Sequence, residues 1–145
     1  MRRERAALLG TRSGMTSEPI VMHESEAPLE RWSDSVRGDV GFRTLFGGGG
    51  TGTDSLTAGI TEMEPGDWLG LHRHAPAEVY YILGGRGAVV LGGEVRAVGA
   101  GSAIFIPGNL EHGIRNAGEE RLRFFYAFGV DSFAEVDYQF SASGR

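Results

Sequence analysis

The chain has 145 residues, 41% of them hydrophobic and 23% charged, which suits one globular domain with a sizeable core. A formal net charge of -5 leaves no basic surplus to neutralise phosphates, so nucleic acid and a polybasic membrane surface are not expected partners. The absence of cysteine removes disulfides, thiolate nucleophiles, zinc ribbons and iron–sulfur clusters, and leaves any metal to His, carboxylate or water.

Residues 1–39 are polar and are punctuated by Pro19 and Pro28. They read as an irregular N-terminal arm with little core, containing a short helix over residues 27–32, with Trp32 as a plug over one end of the domain. The opening MRRERAALLG sets charges before an apolar run that is too short for a signal peptide. Met15 is therefore the expected initiator rather than Met1, and the cytoplasm the expected location. No apolar run approaches the length needed to span a bilayer.

From Val40 the pattern changes to short apolar runs broken by turn residues, which accounts for many of the 24 glycines. FRTLF, SLTAGITEM, WLGLHRH, EVYYILGG, GAVVLGG, EVRAV, AIFIPGN, HGIRN and RLRFFYAFGV all have strand lengths. No helical period is sustained between Val40 and Val130. Residues 40–130 are thus predicted to be an all-β sandwich or barrel, with 131–145 as a C-terminal tail. GGGGTGTDS lacks the Gly-Lys-Ser/Thr ending of a phosphate loop and reads as a flexible hairpin loop. No G-x-S-x-G nucleophile elbow occurs.

The unusual stretch is GDWLGLHRHAPAEVYYILGG. Two of only four histidines, His72 and His74, are one residue apart and share a strand face, with Leu71 and Arg73 facing away. Trp68 falls on the histidines' face by the same parity, as cavity wall or as a cation–π seat. After Pro76, Glu78, Tyr80 and Ile82 share one face and Val79, Tyr81 and Leu83 the other. If the histidine strand pairs with the glutamate strand, two imidazoles and a carboxylate converge on one point. His112, which begins HGIRN, is the natural fourth ligand.

Gly66, His72, His74, Glu78 and Gly85 are separated by five, one, three and six residues. Gly101, Pro107, Asn109, His112 and Asn116 are separated by five, one, two and three. These stretches resemble the two signature motifs of the cupin superfamily. One departure is Asn109, where the family usually has glycine; Asn tolerates left-handed backbone, so the turn is still expected. The resemblance covers residues 40–130. It implies a double-stranded β-helix, or jelly-roll barrel, with His72, His74, Glu78 and His112 as ligands to a divalent transition metal: Fe, Mn, Ni, Co or Zn. It also implies a homodimer packed through its sheets.

Three imidazoles and one carboxylate leave a divalent ion with about one net positive charge, which favours a small anionic ligand. Such a site can acidify a C–H beside a bound carboxylate, activate dioxygen as Fe(II), or hold a metabolite without catalysis. Tyr80, two residues after Glu78, is placed to be a general base. The His-x-His-x-x-x-Glu-x-Tyr order and the spacing to His112 are similar to those of cupin lyases that cleave dimethylsulfoniopropionate. That likeness implies a second functional tyrosine near the C-terminus, which is Tyr138 here, with Tyr126 as its competitor. Arg115, Arg121 and Arg123 could steer a carboxylate, but a charged exterior is the plainer role. Phe124, Phe125, Tyr126 and Phe128 read as strand packing and a possible subunit contact.

Overall fold

The computed structural model describes residues 18–48 and 53–141. Both candidate initiators and the centre of the glycine-rich loop lie outside the described residues. Eleven strands are described: β1 Glu30–Asp34, β2 Gly38–Phe46, β3 Thr57–Met63, β4 Trp68–Arg73, β5 Glu78–Gly84, β6 Arg86–Leu91, β7 Glu94–Gly99, β8 Ala103–Ile106, β9 His112–Asn116, β10 Leu122–Phe128 and β11 Gln139–Phe140. They form one curled antiparallel sheet in the order β7-β6-β9-β4-β2-β3-β10-β5-β8, with β1 added to β2 and β11 to β4. This is the all-β jelly roll that the motifs imply. Among the described residues, no helix is long and apolar enough to cross a membrane.

Period-two alternation sets what faces inward. β5 buries Glu78, Tyr80 and Ile82 and exposes Val79, Tyr81 and Leu83. β10 buries Leu122, Phe124, Tyr126 and Phe128, and its register sets Tyr126 opposite Tyr80 and Phe128 opposite Glu78. Together with Val40, Phe42, Met63, Val89, Ile106 and Ile114 these side chains fill the barrel. Each such apolar side chain contributes about 1.5–3 kcal/mol by leaving water. The aromatic run of β10 therefore splits, with Phe125 alone of its four rings on the outer side.

The N-terminal stretch departs from the expected arm. Residues 27–32 hold no helix; a single 3-10 turn, Glu24–Glu26, precedes them, and β1 begins at Glu30. His23 caps that turn with its side chain and lies far from the other histidines' role. The mixture of proline and charge conceals a strand because β1 is an outer addition whose residues are mostly exposed. Trp32 does cover one end of the interior, packed edge-on against Phe42 at 5.1 Å.

Two backbone positions are tightly constrained. Gly38 sits at φ 103°, and a Cβ there would come within 2.1 Å of the Trp68 carbonyl oxygen on β4. Asn109 adopts φ 63°, the left-handed turn that the motif demands. Asn116 ties the β9–β10 connection down through Nδ2 to the Met63 and Glu120 carbonyls at 3.0 and 2.8 Å. Gly38→Ala is expected to lower stability by about 2 kcal/mol or more, while Asn109→Gly leaves it within about 0.5 kcal/mol; urea unfolding of the two variants checks both.

Candidate metal centre

His72, His74, Glu78 and His112 are buried and their ligand atoms all lie within 4.8 Å of one another. They do not meet in the manner that the spacing suggests. β4 does not pair with β5: it pairs with β9 along one edge, and with β2 and then β11 along the other. His72 and His112 are direct cross-strand partners on β4 and β9. The link 74–77, which contains Pro76, leads from β4 to β5, and Glu78 comes from a strand that pairs with β10 and β8 and with neither β4 nor β9. The turn before β9 packs onto that link: the Asn109 N–H donates to the His74 carbonyl at 2.7 Å, and a Cβ on Gly108 would meet the Ala75 oxygen at 2.4 Å.

Each imidazole is oriented by its own strand. Nδ1 of His72, His74 and His112 lies 2.7, 2.9 and 2.8 Å from the carbonyls of Gly70, Pro76 and Leu110. A carbonyl can only accept, so each Nδ1 carries the hydrogen and each Nε2 lone pair points inward. The three Nε2 atoms and Glu78 Oε1 are buried with no hydrogen-bond partner. His74 Nε2 and His112 Nε2 stand 3.3 and 3.4 Å from Glu78 Oε1, ionic contacts rather than well-formed hydrogen bonds. Ligands about 2.1 Å from a shared ion stand about 3.0–3.4 Å apart, so these separations suit one. The donor set fits a divalent transition metal, and the observation that carries the fit is the four orphaned acceptors.

The electrostatics agree. Burial and the neighbouring His112 hold His72 well below its ordinary range, so it stays neutral and able to ligate. Burial also disfavours charge on His74, but the Glu78 carboxylate and the Pro76 carbonyl more than offset it and raise its pKa.

Beside the donors is a cavity of about 30 Å³ lined by Trp32, Val40, Phe42, Thr61, Leu69, Glu78, Tyr80, Phe124, Tyr126, Phe133 and Tyr138. No lysine or arginine is in that lining. Both tyrosines singled out from the sequence are there. The Tyr138 ring centroid lies 5.0 Å from that of His72 and 5.1 Å from that of His74, and Tyr80 lies 6.4 Å from His112. Tyr126 shares the cavity but leans on Phe128 and on the backbone at Gly59; its hydroxyl makes no well-formed hydrogen bond, and only the Thr44 side chain works against the rise that burial imposes on its pKa. Burial, reinforced by the Glu78 charge, likewise raises Tyr80 and Tyr138 well above the ordinary phenol range.

Trp68 is not in the cavity. The β4–β9 register shifts between Leu69 and His72, and this irregularity turns Leu69 inward beside Tyr80 and Trp68 outward, into a separate cleft with Leu71, Val90 and Arg115. Arg121 and Arg123 belong to the exterior, paired with Glu64 and with Glu24 and Glu62, and Arg115 is exposed. Trp32, read as a plug, is a cavity wall, and so is Phe133, which the sequence did not mark; aromatic residues flanking a predicted barrel were the available signal.

In the metal-free protein, three of the four tyrosines should stay un-ionised as the pH rises past 10. Their raised pKa values contribute stability that is present below the unfolded phenol range and lost as pH climbs through the folded values, so phenolate absorbance at 295 nm should appear for them only as the fold opens. Saturating Co²⁺ or Ni²⁺ should raise Tm, by the equivalent of about 2.7 kcal/mol at a hundredfold excess over Kd, and Glu78→Gln should abolish most of that gain in a thermal scan.

A cupin domain model matches residues 59–128, which include all four donors. The chain is 40% identical over 125 residues to dimethylsulfoniopropionate lyase DddW of Ruegeria pomeroyi, covering 86% of this chain and 82% of that one. It is 30% identical over 108 residues to the oxalate-binding protein of Thermotoga maritima, covering 72% and 89%. Among solved structures, a cupin-2 domain of Rhodospirillum rubrum superposes with a TM-score of 0.69 at 27% identity, over 88% of this chain and 84% of the other. A relative at 40% identity across most of both chains, and a family model lying on the strands that carry the donors, place this chain in the cupin superfamily.

Proposed function

We propose that the protein is a metal-dependent lyase that acts on a small carboxylate carrying a cationic leaving group, of the dimethylsulfoniopropionate type. The observation that carries the reading is the pairing of the four-donor cluster with two phenols, Tyr80 and Tyr138, inside a cavity without lysine or arginine. The likeness to DddW supports it.

The cavity's charge pattern suits that substrate class. The donors His72, His74, Glu78 and His112 would hold the metal, which supplies a positive charge to take the substrate carboxylate and acidify the adjacent C–H. The remaining wall is aromatic, with Trp32, Phe42, Phe124 and Tyr138 among its rings, and π-faces accept a compact onium group. A second carboxylate would have no partner there.

Tyr80 is the general base in this scheme. As the phenolate, its oxygen takes the proton alpha to the carboxylate, the C–H electron pair becomes the new C=C bond, and the β-carbon–sulfur bond breaks with its pair leaving on sulfur. Acrylate and dimethyl sulfide result, and the proton stays on Tyr80 until it passes to solvent. Burial and Glu78 keep this phenol protonated in the metal-free site, so it serves as a base only when the cluster holds its cation. Tyr138, on the opposite wall near His72 and His74, contacts the substrate and orients it.

One observation favours a second reading. The oxalate-binding relative suggests a cupin that holds a small carboxylate without turning it over. The two readings separate on one variant. Tyr80→Phe should lower acrylate formation by about a hundredfold or more while leaving metal content by elemental analysis unchanged. A wild-type protein that binds metal, forms no acrylate and consumes no oxygen would establish the binding reading instead.

A further inference from the structure

The metal cluster is buried. His72, His74, Glu78 and His112 are 0 to 4% exposed, and the adjoining cavity of about 30 Å³ has room for a water or two but for no organic acid. A ligand must therefore displace part of the wall. Most of the wall is held on both edges: Tyr80 lies on β5 between β10 and β8, and Phe124 and Tyr126 on β10 between β3 and β5.

β1, which carries Trp32, is paired on one edge only but runs along β2 for five residue pairs; residues 133–141 have two such pairs. This segment begins with one 3-10 turn, Phe133–Glu135, and ends in β11, two residues paired on one edge only, Gln139 with Arg73 and Phe140 with His72. Three hydrogen bonds pin the ends: Phe133 N–H to the Gly47 carbonyl at 2.8 Å, Ser141 N–H to the Leu71 carbonyl at 2.8 Å, and the Ser141 hydroxyl to Glu111. Between those ends the segment presents rings to the site. Tyr138 and Phe140 lie 5.0 and 5.3 Å from His72. Both dock edge-on against Trp32 of β1, at 5.3 and 5.8 Å. The Arg37 guanidinium lies over the Trp32 ring at 5.0 Å and steadies the indole.

We propose that residues 133–141 are a strap that lifts to admit ligand to the metal cluster, and that Trp32 is the positioning residue that latches it shut with Tyr138 against the histidines. The inference rests on the metal-binding reading of the cluster but not on which reaction occurs there. Lifting the strap breaks β11's single-edge pairing, its ring contacts, the core packing of Val136 and the bonds that pin its ends, whereas moving β5 or β10 would break two-sided ladders. Closure and the delivery of Tyr138 are one movement, because the same segment does both.

The chain's lack of cysteine gives a direct test. Arg73 and Gln139 are register partners with exposed side chains, and antiparallel partners lie about 4.5–5.5 Å apart at Cα, within disulfide reach. The double variant Arg73→Cys/Gln139→Cys is loaded with Co²⁺ while reduced and then oxidised, and dipicolinate, a chelator too large for the closed cavity, is used to strip the cobalt. Visible absorbance follows the loss. Oxidation should slow stripping at least tenfold, and reductant should restore the rate. Trp32→Ala, tested separately, should speed stripping at least fivefold with cobalt stoichiometry unchanged, and Trp32→Phe should recover much of the slow exchange. Equal rates in the oxidised and reduced double variant, or in Trp32→Ala and the parent, would overturn the strap. A parent protein that takes up no cobalt would overturn the metal cluster and the strap with it, a failure that is distinct because it appears before any chelator is added.

Discussion

Four buried acceptors facing one another are the constraint on which the interior depends. With every Nδ1 committed to a backbone carbonyl, the three Nε2 atoms and Glu78 Oε1 have no donor to share. Leaving such groups unsatisfied costs about 1–3 kcal/mol each. One divalent cation offsets all four penalties together, and nothing apolar does. The orientation does not await the ion: the carbonyls that aim the rings belong to residues two positions away in the same strand or link, so the site is pre-organised by local backbone. The cross-strand pair His72–His112 and the link through Pro76 then bring the separate strands to one point.

A cation held by those four groups would act on the phenols as well. In a cavity walled by aromatic rings the effective dielectric is low, and the charge of Glu78 acts on Tyr80 and Tyr138 with little screening. A net positive centre reverses the sign of that influence. The same Tyr80 is then an inert buried hydroxyl in the metal-free protein and a candidate base in the loaded one, with no change in its position. On the proposed reading, metal occupancy and the state of Tyr80 are coupled through charge, and Arg121 and Arg123, held by glutamates at the surface, have no part in it.

The motif region was legible for a physical reason: alternation in β5 and the fixed offsets of His72, His74, Glu78 and His112 are local properties that a single sequence displays. Inward and outward faces of β5 and β10, the left-handed Asn109 and the all-β class all follow from such local rules. What was not legible depends on register or on distant partners. A register shift between Leu69 and His72 breaks the parity that had placed Trp68 with the histidines. The failure of β4 to pair with β5 depends on where the chain crosses the barrel, which Pro76 suggests but does not direct. β1 and β11 escape any periodicity argument: one is mostly exposed, the other two residues long. Tyr138 was reached through family likeness, and its neighbour Trp32 was read only as a plug.

That last pair shows why both end segments of the described residues belong to the site rather than to the periphery. Trp32 and Tyr138 come from opposite ends of the described chain, yet their rings meet at 5.3 Å over the metal cluster. A barrel closed entirely by its own ladders would hold the donors but exclude any ligand, because every wall would be fixed by hydrogen bonds on both edges. A barrel with an open mouth would leave Glu78 and the histidines solvated, which would weaken both the pull on a bound carboxylate and the control of the phenols. A short aromatic segment paired on one edge resolves the conflict: its rings dry the site when docked, and its few backbone bonds make undocking inexpensive. Placing a phenol on that segment means that Tyr138 stands against the histidines only while the segment is docked.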